Sequence, residues 1–158
     1  MKNQQKISKE VVLQRMQALC ARSEKCTGDI KVKLVKLGLN ETEIQFVVQK
    51  LVNDGFVDNF RYARFFVRDK SRLNKWGRVK IVSVLKSKGV SENIINEALL
   101  EISPATNKKA LTDLITRKAK QVKAKSTYEL KSKLIRFGMS RGFEIDLVIN
   151  VVNEVITE

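Results

Sequence analysis

No histidine occurs in the 158 residues, which hold only two cysteines, Cys20 and Cys26, and one proline, Pro104. The absence of imidazole removes the usual zinc sets, every histidine-based triad and imidazole proton relays. No glycine-rich phosphate loop is present and the acids are scattered, so no catalytic, cofactor-binding or metal-binding residue can be nominated, and a non-enzymatic protein is expected. No run of eighteen apolar residues exists, and residues 1–10 are polar without the apolar centre of a signal peptide. The expectation is a cytoplasmic chain with no membrane contact and two buried, reduced thiols. Seven glycines and a single proline argue against a linker-rich or disordered chain, and no useful period-2 pattern suggests strand, so helix is the natural class.

Acids are also scarce: 31 Lys and Arg stand against 17 Asp and Glu, for a formal charge of +14. Such an excess is a statement about partners, and favours nucleic acid or another acidic surface.

What the chain does have is an internal repeat. Gly38-Leu39 is followed by Ile44, Val47, Val48 and Leu51; Gly89-Val90 by Ile95, Ala98, Leu99 and Ile102; Gly142-Phe143 by Val148, Val151, Val152 and Val155. Each set is one face of a helix. Eight residues before each glycine stand Ile30, Ile81 and Leu134, and Leu34 and Leu85 add a second position, which marks a short helix capped by the glycine. In the third copy Gly138 takes the place of Leu34 and Leu85. The register through Gly138 therefore stays open, although the spacing favours Gly142. Longer amphipathic segments precede each pair, over residues 8–22, 59–73 and 106–124. Asn40 to Glu43 and Ser126 to Glu129 resemble capping boxes, and Ser103-Pro104 suits a cap and first turn. The pattern predicts an all-α protein of three tandem three-helix repeats stacked into an elongated, curved array: residues 1–57 with an N-terminal tail, 58–103 and 104–158.

Charge is concentrated in two of these units. Residues 61–88 hold ten basic residues and one acid, and residues 105–141 hold eleven basic residues and two acids. Arg61, Arg64, Arg68 and Arg72 fall on one face of a helix, opposite Phe60, Ala63, Phe66 and Val67. Lys75, Arg78 and Lys80 continue this candidate surface, and Arg117, Lys120, Lys123, Lys131, Lys133, Arg136 and Arg141 supply a lysine-rich counterpart suited to phosphate contact without sequence readout. Two readings of the arginine stripe stand: a binding face, or a solvated face whose arginines pair with Asp69 or the acids of a neighbouring helix. Phe65, among the arginines, either contacts a partner or packs against an adjacent repeat. Trp76 before Gly77 anchors a turn or, if exposed, contacts a partner.

The stretch Asp58-Asn59-Phe60-Arg61-Tyr62-Ala63-Arg64-Phe65-Phe66-Val67-Arg68, followed by Trp76-Gly77, Ile81, Leu85 and Lys88-Gly89, resembles the signature of the bacterial RecX regulatory family. Residues 34–38 and Ser140-Arg141-Gly142-Phe143 resemble its first and third repeats. The likeness spans about residues 10–156. Lys80 and Tyr62 depart from the commoner arginine and phenylalanine, and Gly138 interrupts the third repeat. The resemblance implies a regulator that lies in the groove of a RecA recombinase filament on single- or double-stranded DNA. It further implies inhibition of ATP hydrolysis and strand exchange, a role in homologous recombination, DNA repair and the SOS response, and no cofactor. A monomer is expected. The competing reading is a sequence-nonspecific helical DNA-binding or nucleoid-associated protein.

Overall fold

A computed structural model describes residues 7–157. Residues 1–6, where the expected N-terminal tail begins, lie outside the described residues. Every regular element described is an α-helix: α1 (Lys9–Arg22), α2 (Thr27–Lys36), α3 (Glu41–Asn53), α4 (Asn59–Arg72), α5 (Arg78–Ser87), α6 (Glu92–Leu99), α7 (Pro104–Ala119), α8 (Thr127–Ser140) and α9 (Ile145–Val155).

Local chemistry sets the boundaries. Asn40 accepts from Glu43 N–H at 2.9 Å and Glu43 returns a bond to Asn40 N–H at 2.9 Å, a complete capping box. Ser126 likewise accepts from Glu129 N–H at 3.1 Å, but the Glu129 carboxylate takes the N–H of Lys125 instead. Ser103 caps α7 with Pro104 in its first turn, and Asp58 caps α4 by accepting from Arg61 N–H at 3.0 Å.

Gly38, Gly89 and Gly142 close the second helix of each trio at φ of 82°, 79° and 88°, the left-handed region that a side chain resists. The third trio is thus registered through Gly142. Gly138 lies inside α8, where a Cβ would come within 2.7 Å of Val148 and 3.5 Å of Leu111. A leucine there would not fit, so α8 passes close over α9.

The apolar faces collect into three clusters. Val12, Met16, Ile30, Leu34, Ile44, Val47, Leu51 and Val57 form the first; Leu111, Ile115, Leu134, Phe143, Val148, Val151 and Val152 form the third. The middle cluster joins Tyr62, Ala63, Phe66, Val67, Ile81, Leu85, Val90, Ile95, Ala98 and Ile102, and it takes Cys26 from the preceding trio. The most extensively packed helix pairs all lie within a trio: α1 with α3, α4 with α6, α7 with α9, α2 with α3, α5 with α4 and α6, and α8 with α7 and α9. An array whose units contact mainly their neighbours leaves much surface outside. The chain exposes 10338 Å², against the roughly 8,000 Å² of a compact protein of this mass.

The thiols are free, but only Cys26 is buried; Cys20 is half-buried. Phe60, expected on the buried face of α4, is also half-buried, with the Arg64 guanidinium 5.6 Å from its ring centroid.

Candidate nucleic-acid and partner interface

The helix α4 points one face into the middle cluster and turns its arginines outward, as 3.6-residue spacing requires. Three of the four are engaged. Arg61 donates to Glu24 at 2.6 Å and to the carbonyls of Gly55 and Phe56. Arg64 and Arg68 each donate to a different oxygen of Glu101 at 2.8 Å. Their hydrogen bonds, Arg68 first and then Arg64, hold the Glu101 carboxyl below the usual carboxylate range, and Glu101 raises Arg68 in turn. Arg72 is exposed and forms no ion pair among the described residues.

Glu24 and Glu101 are the partners that helix periodicity on α4 does not reveal. Glu24 lies in the α1–α2 connection inside the first trio and Glu101 just after α6, 37 residues from Arg61 and Arg64 respectively. The stripe therefore ties α4 to the first trio through Glu24 and to the end of its own unit through Glu101. These contacts stay open to solvent, so water weakens them.

Phe65 is 58% exposed, although its neighbour Phe66 is buried. Trp76 is half-buried against the middle cluster, edge-on to Phe66 at 6.1 Å, with Lys70 and Lys80 at 5.1 and 4.4 Å from its ring. Trp76 thus anchors the turn into α5 and offers its remaining face to cations.

Several other nominated residues build the joint between the second and third trios. Gly77 N–H donates to Arg141 C=O at 2.8 Å and Val79 N–H to Gly142 C=O at 2.9 Å. Arg141 donates to the carbonyl of Asn74 and Arg78 to that of Ile102, while the Nε of each is buried without a partner. Lys80 packs its Cβ against Gly142. Lys75, half-buried beside Arg72 and Trp76, holds φ of 55°, the single positive value outside glycine among the described residues.

In the third trio Arg117, Lys120, Lys123 and Arg136 are exposed, and Lys131 is half-buried. Lys133 pairs with Glu129 at 2.9 Å and donates to the carbonyl of Lys123 at 2.8 Å. Apart from Lys80, which lies over the Trp76 ring, and the half-buried Lys75 and Lys131, the basic residues nominated from sequence are of two kinds. Arg61, Arg64, Arg68, Arg78, Lys133 and Arg141 are bound to protein oxygens. Arg72, Arg117, Lys120, Lys123 and Arg136 form no ion pair among the described residues and can meet an external anion.

A cationic surface between the first and second trios was not legible from the charge runs. Arg22, Lys25, Lys33 and Lys36 line a cleft with Phe65 and Lys70. The signal was present in Val32, Lys33 and Lys36, which lie away from the buried Ile30 and Leu34 of α2.

No three His, Cys, Asp or Glu side chains among the described residues group as metal ligands, and no described helix is long and apolar enough to cross a membrane.

Comparison with known proteins adds the family. A family model described as RecX, second three-helix domain, matches residues 58–99, and one described as RecX, third three-helix domain, matches residues 108–152. The regulatory protein RecX of Pelodictyon phaeoclathratiforme is 34% identical over 116 residues, covering 73% of this chain and 71% of the relative. That of Clostridium acetobutylicum is 33% identical over 139 residues, covering 85% of this chain; the chain spans 64% of that relative's length. The crystal structure of RecX from Lactobacillus salivarius has the same fold, with a TM-score of 0.81 at 19% identity, covering 93% of this chain and 96% of that one. The helical repeats, the α4 signature and these matches place the chain in the RecX family of regulatory proteins.

Proposed function

We propose that this chain binds the filament that the RecA recombinase forms on DNA and lowers its ATP hydrolysis and strand exchange. It acts as a cytoplasmic, monomeric, non-enzymatic regulator of recombinational repair, organised in units of residues 1–57, 58–103 and 104–158. The observation that carries this reading is membership of the RecX family across the second and third helical units. The extended array supports it, because an elongated body can follow a filament groove and touch several protomers. The free cations Arg72, Arg117, Lys120, Lys123 and Arg136 support a DNA contact that is electrostatic and indifferent to sequence. Its sequence carries neither a glycine-rich nucleotide loop nor a histidine, and on this reading its effect arises from binding.

The test is DNA-dependent ATP hydrolysis by the host recombinase, titrated with this protein from well below protomer concentration to parity. Progressive suppression is expected, and unchanged hydrolysis with folded protein overturns the reading. The competing nucleoid-protein reading predicts similar affinity for bare and recombinase-coated DNA, whereas a filament regulator prefers the coated form.

A further inference from the structure

A cleft of about 880 Å³ opens between the first and second trios, with α2 on one side, α4 on the other and the α1–α2 connection at its end. Its charge is unbalanced. Glu24 is taken by Arg61 and Asp29 by Lys88 at 2.8 Å, which leaves Asp69 as the unpaired acid among the lining residues. Arg22, Lys25, Lys33 and Lys36 line the same space and form no ion pair among the described residues.

Phe65 stands on the α4 wall, and a second groove lined by Arg61, Arg64 and Arg68 runs along its other side. A phenylalanine left in water forgoes most of the stabilisation that burial would give it. Here the ring lies on a ridge, with the cations of the cleft on one flank and arginines paired to Glu24 and Glu101 on the other. An aromatic face within a cationic groove suits an unpaired base whose phosphates lie along the rim. A paired base has both faces stacked already and cannot meet such a ring.

We propose that this cleft is a binding site for single-stranded DNA, with a base on Phe65 and phosphates along Lys33 and Lys36. It deepens the filament reading, on which it rests only for the source of the strand. The site draws on the first trio, whose charge runs do not mark it.

The test is fluorescence anisotropy of labelled oligo(dT) with the full chain and no recombinase, in rising salt. Phe65→Leu keeps an apolar side chain but removes the stacking face, and should weaken binding about fivefold or more. Lys33→Gln combined with Lys36→Gln should lower the log–log salt slope by about 1.4, at about 0.7 per single-strand phosphate. Both variants should keep the helical signal, since all three side chains are exposed. Phe65→Trp should show fluorescence quenched by the oligonucleotide. Equal affinity of wild type and Phe65→Leu, or displacement by blunt duplex as readily as by unlabelled oligo(dT), overturns the proposal. So does a Phe65→Leu protein that grips the strand normally but fails to suppress recombinase hydrolysis, because Phe65 would then contact protein. Wild type that binds oligo(dT) through Phe65 yet leaves hydrolysis unchanged refutes the filament reading and keeps the cleft.

Discussion

Gly77 and Gly142 meet backbone to backbone: a Cβ on Gly77 would stand 2.3 Å from the Gly142 carbonyl oxygen. Gly77 has an ordinary φ of −79°, so its need for hydrogen is steric and owes nothing to backbone freedom. The approach permits the two inter-unit hydrogen bonds from Gly77 and Val79. Gly77→Ala must separate these strands of chain and forfeit both bonds, at a cost of about 2 kcal/mol or more. Urea unfolding should show the loss, and small-angle scattering should show a changed overall length. An unaltered midpoint would mean the joint yields freely.

The other joint follows the same plan. A Cβ on Gly28 would lie 2.1 Å from the Lys88 carbonyl oxygen, beside the Asp29–Lys88 ion pair and the reciprocal Thr27–Asn59 hydrogen bonds. Gly28→Ala should therefore destabilise comparably, whereas Gly55→Ala, which meets open space at φ of 76°, should lose only the left-handed backbone preference of about 1–2 kcal/mol. Since the joints share no partner, combining Gly28→Ala with Gly77→Ala should add within about 0.5 kcal/mol.

The helices were legible because each trio repeats the same apolar spacing, and the glycine turns because only φ near 80° closes them. The joints were not. Gly28 and Gly77 look like ordinary punctuation until Lys88 and Gly142, both far along the chain, are brought against them. The arginine stripe was legible as a face, but its engagement was not, because Glu24 and Glu101 lie outside the helix that carries it. Gly138 could not be told from a helix terminator by spacing alone; its contact with Val148 and Leu111 decides the matter.

Acid should loosen the ion pairs in a defined order of cause. Hydrogen bonds from Arg68 and Arg64 lower Glu101, and the Lys125 N–H followed by Lys133 lowers Glu129. Burial works to raise Asp29, but the bond from Lys88 and the contacts with Cys26 overcome it and leave the carboxyl lowered. A depressed folded pKa means stability that is present above the unfolded carboxylate value of about 4 and lost as pH falls through the folded value. The thermal midpoint should fall below about pH 4, and less steeply in Glu101→Gln. Identical acid limbs in wild type and variant would remove Glu101 from the account.

The two thiols should differ toward reagents. Burial raises both Cys20 and Cys26 above the ordinary thiol value, so neither is a thiolate at neutral pH. Cys20 is half-buried and Cys26 fully buried in the middle cluster while accepting from Asp29 N–H. Labelling with an aromatic disulfide should modify Cys20 slowly and Cys26 only under denaturing conditions, as peptide mapping would report. Rapid labelling of Cys26 in native buffer would show that the joint opens.

Paired and free arginines should respond oppositely in DNA binding. Arg72 is exposed and without an ion pair among the described residues, so Arg72→Ala should leave the unfolding midpoint unchanged and lower the log–log salt slope by about 0.7–0.9 if it meets a phosphate. Arg64 and Arg68 must first leave Glu101, and that exchange cancels part of what a phosphate would give them. Glu101→Gln removes the competitor while keeping the hydrogen-bonding shape, so its affinity for DNA should rise and its salt slope should steepen by up to about two contacts' worth. Arg64→Ala with Arg68→Ala should then weaken binding more in the Glu101→Gln background than in wild type. A salt titration of all four proteins separates the cases: additivity across the cycle would mean that Glu101 does not hold the arginines back, and that the stripe already faces the DNA unaided.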